Sequence, residues 1–143
     1  MANEDVAVML GSVDLFKGVA PKVLKRIAGA GRVVTFDPGF EVTTDGSSGI
    51  AFHLIMEGSA QVLVHGESRG TLAARDSFGE ISLLDGLPRS ATVRAGEQGL
   101  RTFALTSWEF LPILDENPSV ARGLLKVLCA RIRAIDVAAR PSD

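Results

Sequence analysis

The chain has 143 residues, 46% of them apolar and 22% charged, with a formal net charge of −2. That length suits one domain whose core hides about two-thirds of the unfolded surface, so no metal or disulfide staple is required, and the single Cys129 excludes an internal disulfide. No lysine and arginine cluster supports direct DNA binding, no apolar run approaches the roughly 18 residues that span a bilayer, and the acidic start Met1-Ala2-Asn3-Glu4-Asp5 is unlike a basic secretory leader, so a cytoplasmic protein is expected; Met1 favours a stand-alone protein over a fragment of a longer one.

Residues 4–30 read as helical. Val6, Met9 and Leu10 make a short apolar stripe, and Pro21 opens a second helical stretch in which Val23, Leu24 and Ile27 recur at helical spacing. Gly29 and Gly31 end it. From Arg32 to Leu105 short apolar runs alternate with turn residues. The runs are Val33–Phe36, Ala51–Met56, Gln61–Val64, Thr71–Ala73, Thr92–Arg94 and Arg101–Leu105. Asp37-Pro38-Gly39, Glu57-Gly58 and Gly66-Glu67-Ser68 are among the turns between them. Many short strands at near-regular spacing predict a sandwich or barrel.

After Leu105 the helical period returns. Thr106 and Glu109 have the spacing of a capping box. Pro118 opens the last and longest helix, with Val120, Leu124, Val127, Leu128, Ile132 and Ile135 as its apolar positions. The chain therefore reads as one α+β domain over 1–143, with N-terminal helices (1–31), a β middle (32–105) and C-terminal helices (106–138).

One segment, 78–92, is neither plain strand nor surface helix. It runs Phe78-Gly79-Glu80-Ile81-Ser82-Leu83-Leu84-Asp85-Gly86-Leu87-Pro88-Arg89-Ser90-Ala91-Thr92. A helix start supplies backbone N–H groups for an anion. Nine residues after the Glu80 carboxylate stands the Arg89 guanidinium, whose planar fork suits a phosphate, with the Ser90 hydroxyl beside it. A carboxylate next to such an anion accepts a ribose hydroxyl, as acidic residues do in dinucleotide folds. Together these groups suit a ligand with one phosphate and one ribose hydroxyl.

The segment resembles the phosphate-binding cassette of the cyclic-nucleotide-binding domain family, which includes the catabolite activator protein and kinase regulatory subunits. The likeness extends to Asp14-Leu15-Phe16, Asp37-Pro38-Gly39, Glu57-Gly58-Ser59, Thr106 and Asn117-Pro118. The resemblance implies an eight-stranded β jelly-roll, cupin-like in shape, that cups the ligand. Glu80 would take the ribose hydroxyl. Arg89 and Ser90 would take the phosphate, helped by Gly79, Ile81, Ser82 and Ala91 backbone and flanked by Phe78. Met56 and Leu63 match the apolar positions under the base, and the last helix would close over the base as a lid. The chain departs from the family pattern at two places. Arg75 stands where a glycine is usual, read here as a different turn. Ile135 and Asp136 stand where a Thr-Ser pair reads adenine, which leaves base contacts to Arg131, Arg133 or Asp136, or to none.

The implied function is a non-catalytic sensor of cAMP that relays occupancy through the last helix to an unknown effector protein. The alternatives are a cGMP-selective sensor, with Ser90 and Asp136 meeting guanine, and a degenerate domain that only mediates protein contacts. The last helix is compatible with a homodimer seam as well as with packing on its own domain. No cofactor is expected, and no metal: a cupin-type site needs several histidines, and the chain has only His53 and His65. No nucleophile elbow or Walker loop is present.

Overall fold

The computed structural model describes residues 3–43, 51–87 and 91–139. Helix α1 (Asn3–Gly11) leads into a 3-10 turn (Asp14–Phe16), then α2 (Pro21–Ala30). Pro21 sits at the first turn of α2, where its missing N–H has no partner to lose, and Leu24 and Ile27 turn into the core as the spacing predicts.

Six strands follow among the described residues: β1 (Arg32–Phe36), β2 (Glu41–Thr43), β3 (Ala51–Val64), β4 (Glu67–Leu72), β5 (Ser77–Phe78) and β6 (Thr92–Thr106). All pairings are antiparallel, with β3 and β6 at the centre. The expected eight strands become six because β3 and β6 are long. Each runs through a segment that reads as a turn. The β3–β6 ladder slips between Ile55 and Glu57 and again between Gly58 and Ala60, then continues. Gly58 permits this crossing, since a Cβ there would stand 2.2 Å from the Gly99 carbonyl oxygen. The first halves of β3 and the last of β6 pair with β5 and β1, and their other halves with β4 and β2. Each long strand thus serves as two strands of the roll. The β3–β4 hairpin turns at His65-Gly66, both at positive φ, the conformation that two-residue hairpins favour.

Strand β6 leads into α4 (Ser107–Glu116) and α5 (Pro118–Ala139). The Thr106 backbone N–H (2.9 Å) and hydroxyl (2.7 Å) both donate to Glu109 Oε1, so the predicted capping pair forms. Among the described residues no helix is long and apolar enough to cross a membrane.

Two apolar cores result. One lies between the sheet and the helices and contains Leu10, Phe16, Ile27, Phe52, Leu83, Phe103, Phe110 and Leu124. Phe16 meets Phe52 and Phe110 edge-on at 5.7 and 5.9 Å, tying the 3-10 turn to β3 and α4. The other fills the roll with Ile55, Ala60, Phe78, Val93, Ala95 and Leu100.

Helix α5 divides along its length. Val120 and Leu124 are buried in the helix-side core, whereas Leu125, Ile132 and Ile135 are 62%, 65% and 70% exposed. The stripe read as continuous in the sequence therefore packs on the domain through its first half, with Val127 against the same core.

Candidate functional site

Strand β5 ends at Phe78, and the chain turns at Gly79 into the short helix α3 (Glu80–Asp85). Gly79 has φ +85°, and a Cβ there would stand 2.4 Å from the Ala51 carbonyl oxygen on β3. Only glycine lets the cassette pass this close to the sheet. Gly86, also left-handed, ends α3, and its N–H donates to Ser82 O at 2.8 Å.

Beneath the start of α3 lies a pocket of about 190 Å³ lined by Val62, Leu72, Ser77, Phe78, Gly79, Glu80, Ala91 and Val93. Its walls are largely apolar. Glu80 supplies the charge, and its Oε1 accepts a 2.7 Å hydrogen bond from the Ser77 hydroxyl. That bond holds one carboxylate oxygen and sets the rotamer of the side chain. The first residues of α3 bring N–H groups that a helix leaves without an internal partner. Ala91, at the far end of the cassette, closes the lining.

Several expected site residues thus meet: Phe78, Gly79, Glu80 and Ala91 share one pocket. Arg89 and Ser90, with Pro88 before them, lie outside the described residues. Ile81 is half exposed and does not line the pocket. Ser82 is fully buried, and its hydroxyl donates to Leu87 O at 2.7 Å, so only its backbone is left for a ligand.

Met56 and Leu63 do not line this pocket: Met56 packs in the helix-side core, and the pocket wall is formed by Val62 and Leu72. Leu63 is one residue along β3 from Val62, and successive strand residues point to opposite faces.

Helix α5 contributes none of the pocket-lining residues, so Arg131, Arg133, Ile135 and Asp136 are not brought to the site. Arg131 instead pairs with Asp14 of the 3-10 turn at 3.6 Å, and the start of α5 is held by the helix-side core.

Arg75, which stands where the family pattern has glycine, adopts φ +79°, the conformation that glycine favours. Its N–H donates to Ile55 O (2.8 Å), and Asp76 closes the turn by accepting from Ala73 N–H at 2.8 Å.

Ser77, Val62, Leu72 and Val93 were not singled out from the sequence. Ser77 stands two residues before the Gly79 N-cap, outside the capping-box position, and only the folded turn brings its hydroxyl onto Glu80. His53 bears on the site from behind. It is buried on β3 with its Nδ1 2.9 Å from Thr102 Oγ1, and its ring stacks on Phe78 at 4.8 Å. Burial, aided by the Arg32 charge, lowers its pKa to about 4.

A roll with an apolar pocket, one held carboxylate and a glycine-entered helical turn defines a small-ligand-binding domain. The chain belongs to the cyclic nucleotide-binding domain family, whose model matches residues 33–117. It is similar to the cAMP-dependent protein kinase regulatory subunit of Yarrowia lipolytica, 49% identical over 61 residues, which cover 41% of this chain and 16% of that protein. It is also similar to the potassium/sodium hyperpolarization-activated cyclic nucleotide-gated channel 4 of Oryctolagus cuniculus, 30% identical over 127 residues, or 89% of this chain and 11% of the channel. The chain thus spans only a small part of these relatives. Among solved structures, the catabolite activator protein of Thermus thermophilus superposes with a TM-score of 0.72 and 28% identity, covering 87% of this chain and 61% of that one. The N-terminal domain of a transcriptional regulator from Streptomyces coelicolor shares the fold, with a TM-score of 0.82, 23% identity, and coverage of 94% and 99%. The expected α+β roll flanked by helices is therefore the observed fold.

Proposed function

We propose that this domain is a non-catalytic sensor that binds cAMP in the pocket beneath α3 and passes its occupancy through α5 to a partner protein. The observation that carries the reading is the convergence of Phe78, Gly79, Glu80 and Ala91 on one pocket, with family membership behind it. In this reading Glu80 accepts the ribose 2′-hydroxyl through the oxygen that Ser77 leaves open. The backbone from Gly79 to Ser82 faces the phosphate. Arg89, two residues before the pocket-lining Ala91, forks onto the phosphate with Ser90. Val62, Leu72 and Val93 carry the apolar surface of the ligand.

The relay reading rests on Leu83. It projects from α3 into the same buried cluster as Phe110, Val120 and Leu124, so a shift of α3 is felt by α4 and α5. A ligand that draws α3 inward favours a new packing of α5, by no more than its differential affinity for the two arrangements. The exposed Leu125, Ile132 and Ile135 then present an altered surface to an effector or to a second copy. Arg131, Arg133, Ile135 or Asp136 reach the base only if α5 moves over the pocket. The cGMP reading stays as the second choice, on the strength of Ser90 and Asp136 as groups that suit guanine.

Amide NMR of the full chain with and without saturating cAMP tests both parts. Shifts in the pocket-lining residues and also along 118–138 are expected. Shifts confined to the pocket would contradict the relay, and no shift anywhere would contradict the sensor.

A further inference from the structure

Among the described residues, the buried polar side chains are His53, Ser82, Thr102, Thr106 and Ser107. Ser82 and Thr106 are explained by the helix ends they satisfy. His53 and Thr102 cap nothing. They belong to each other, through the 2.9 Å bond between Nδ1 and Oγ1 that joins β3 to β6. Two hydrocarbons would fill the same space without the desolvation cost that depresses the imidazole.

What the pair adds is orientation. An imidazole bonded through Nδ1 has its ring plane fixed by the partner hydroxyl. That plane lies 13° from the plane of Phe78, with ring centroids 4.8 Å apart. On its other side His53 meets Phe36 edge-on at 5.9 Å, and Phe36 stacks on Phe40 at 5.6 Å. His53 and Phe78 are also direct partners in the β3–β5 ladder. Strand β5 is only two residues long, and this stack adds to the ladder bonds and the roll core that hold it. Phe78 lines the pocket, and the next two residues are Gly79 and Glu80.

We infer that His53 and Thr102 form a positioning pair behind the pocket, which fixes the Phe78 ring on β5 and, through the adjoining Ser77 that holds Glu80 Oε1, the Glu80 carboxylate. The pair thereby sets selectivity for a ligand ribose hydroxyl. Neither residue lines the pocket, and both act through Phe78. The choice of ligand in the test rests on the proposed nucleotide function, but the positioning itself does not.

The test compares cAMP with 2′-deoxy-cAMP on the full chain carrying Thr102→Val, Thr102→Ser, or His53→Phe with Thr102→Val. Thr102→Val is expected to weaken cAMP binding about fivefold, the equivalent of one ordinary hydrogen bond, and to erode the preference for the 2′-hydroxyl. Thr102→Ser restores both. The double variant leaves no buried polar group unpaired, so it keeps the fold, yet it loses the same preference. Unchanged affinity and preference in Thr102→Val and the double variant would overturn the inference. If wild type binds neither nucleotide, the nucleotide reading fails, and positioning is then read without ligand. Amide shifts of Gly79 and Glu80 that move in Thr102→Val and return in Thr102→Ser support it; unmoved shifts overturn it.

Discussion

Gly79→Ala tests whether the cassette depends on its close approach to the sheet. Two costs add at this position. A left-handed φ of +85° costs a residue with a Cβ roughly 1–2 kcal/mol. The new Cβ also stands 2.4 Å from the Ala51 carbonyl oxygen, about 1 Å inside the closest comfortable carbon–oxygen contact. Both sides of that contact are backbone, so relief means moving α3 away from β3, an overpacking cost of about 1–3 kcal/mol. The total is about 2–5 kcal/mol, a large share of an ordinary domain's stability. Gly39→Ala is the control, because Gly39 has φ +79° but open space where its Cβ would go. It carries only the conformational cost. Urea unfolding of the two variants separates the terms: Gly79→Ala is expected to lower the midpoint by about 1 M or more, and Gly39→Ala by about half as much. Equal losses would refute the close-approach argument, and a wild-type midpoint for Gly79→Ala would refute both terms.

Three further outcomes are expected. Arg75→Gly relieves a left-handed residue at the turn before β5 and raises stability by roughly 0.5–1 kcal/mol, since the added freedom of the unfolded chain offsets part of the gain; a loss in urea unfolding would show that the Arg75 side chain is needed. His53 makes stability depend on pH. Above 6.5 both states hold it neutral; as pH falls from 6.5 to about 4 only the unfolded chain takes up the proton, so stability falls by about 3 kcal/mol and the effect then levels off. His53→Phe should remove this part of the slope, and identical urea midpoint profiles for wild type and variant between pH 7 and 4 would refute the assignment. Arg89→Ala, which in the proposed reading removes a charge-assisted phosphate contact of roughly 2–5 kcal/mol, is expected to weaken cAMP binding about 30-fold or more in calorimetry, and unchanged affinity would remove Arg89 from the site.

Much of the fold was legible because its signals are local. Pro21 and the Thr106–Glu109 spacing mark helix starts, and the structure begins α2 and α4 there. The long strands were not legible as such. Glu57-Gly58 in β3 reads as a turn, and residues 95–100 of β6 lie between two predicted runs, but in the structure both strands continue past a slip in their shared ladder. Strand β5 is too short for any periodicity, and its identity comes from His53 and Leu54 across the sheet. In the site, the order Phe-Gly-Glu was readable because glycine's backbone and glutamate's charge are properties of single residues. Which residues floor the pocket was not, since Val62 and Leu63 differ only in the face they present. Where α5 packs was not legible for a related reason. A stripe of apolar residues shows that α5 is amphipathic, and says nothing of whether it packs on the pocket or on Phe110 and Leu83.

The central claim is that the pocket beneath α3 takes a cyclic nucleotide. Calorimetric titration of cAMP, and separately of cGMP, into the purified chain stripped of bound nucleotide tests it most directly. The account predicts saturable one-to-one binding, with cAMP the tighter ligand. Tighter binding of cGMP would overturn the choice of base while keeping the sensor. Absence of heat with both at millimolar concentration, repeated at a second temperature to exclude a silent enthalpy, would contradict the claim and leave a domain that works through protein contacts alone.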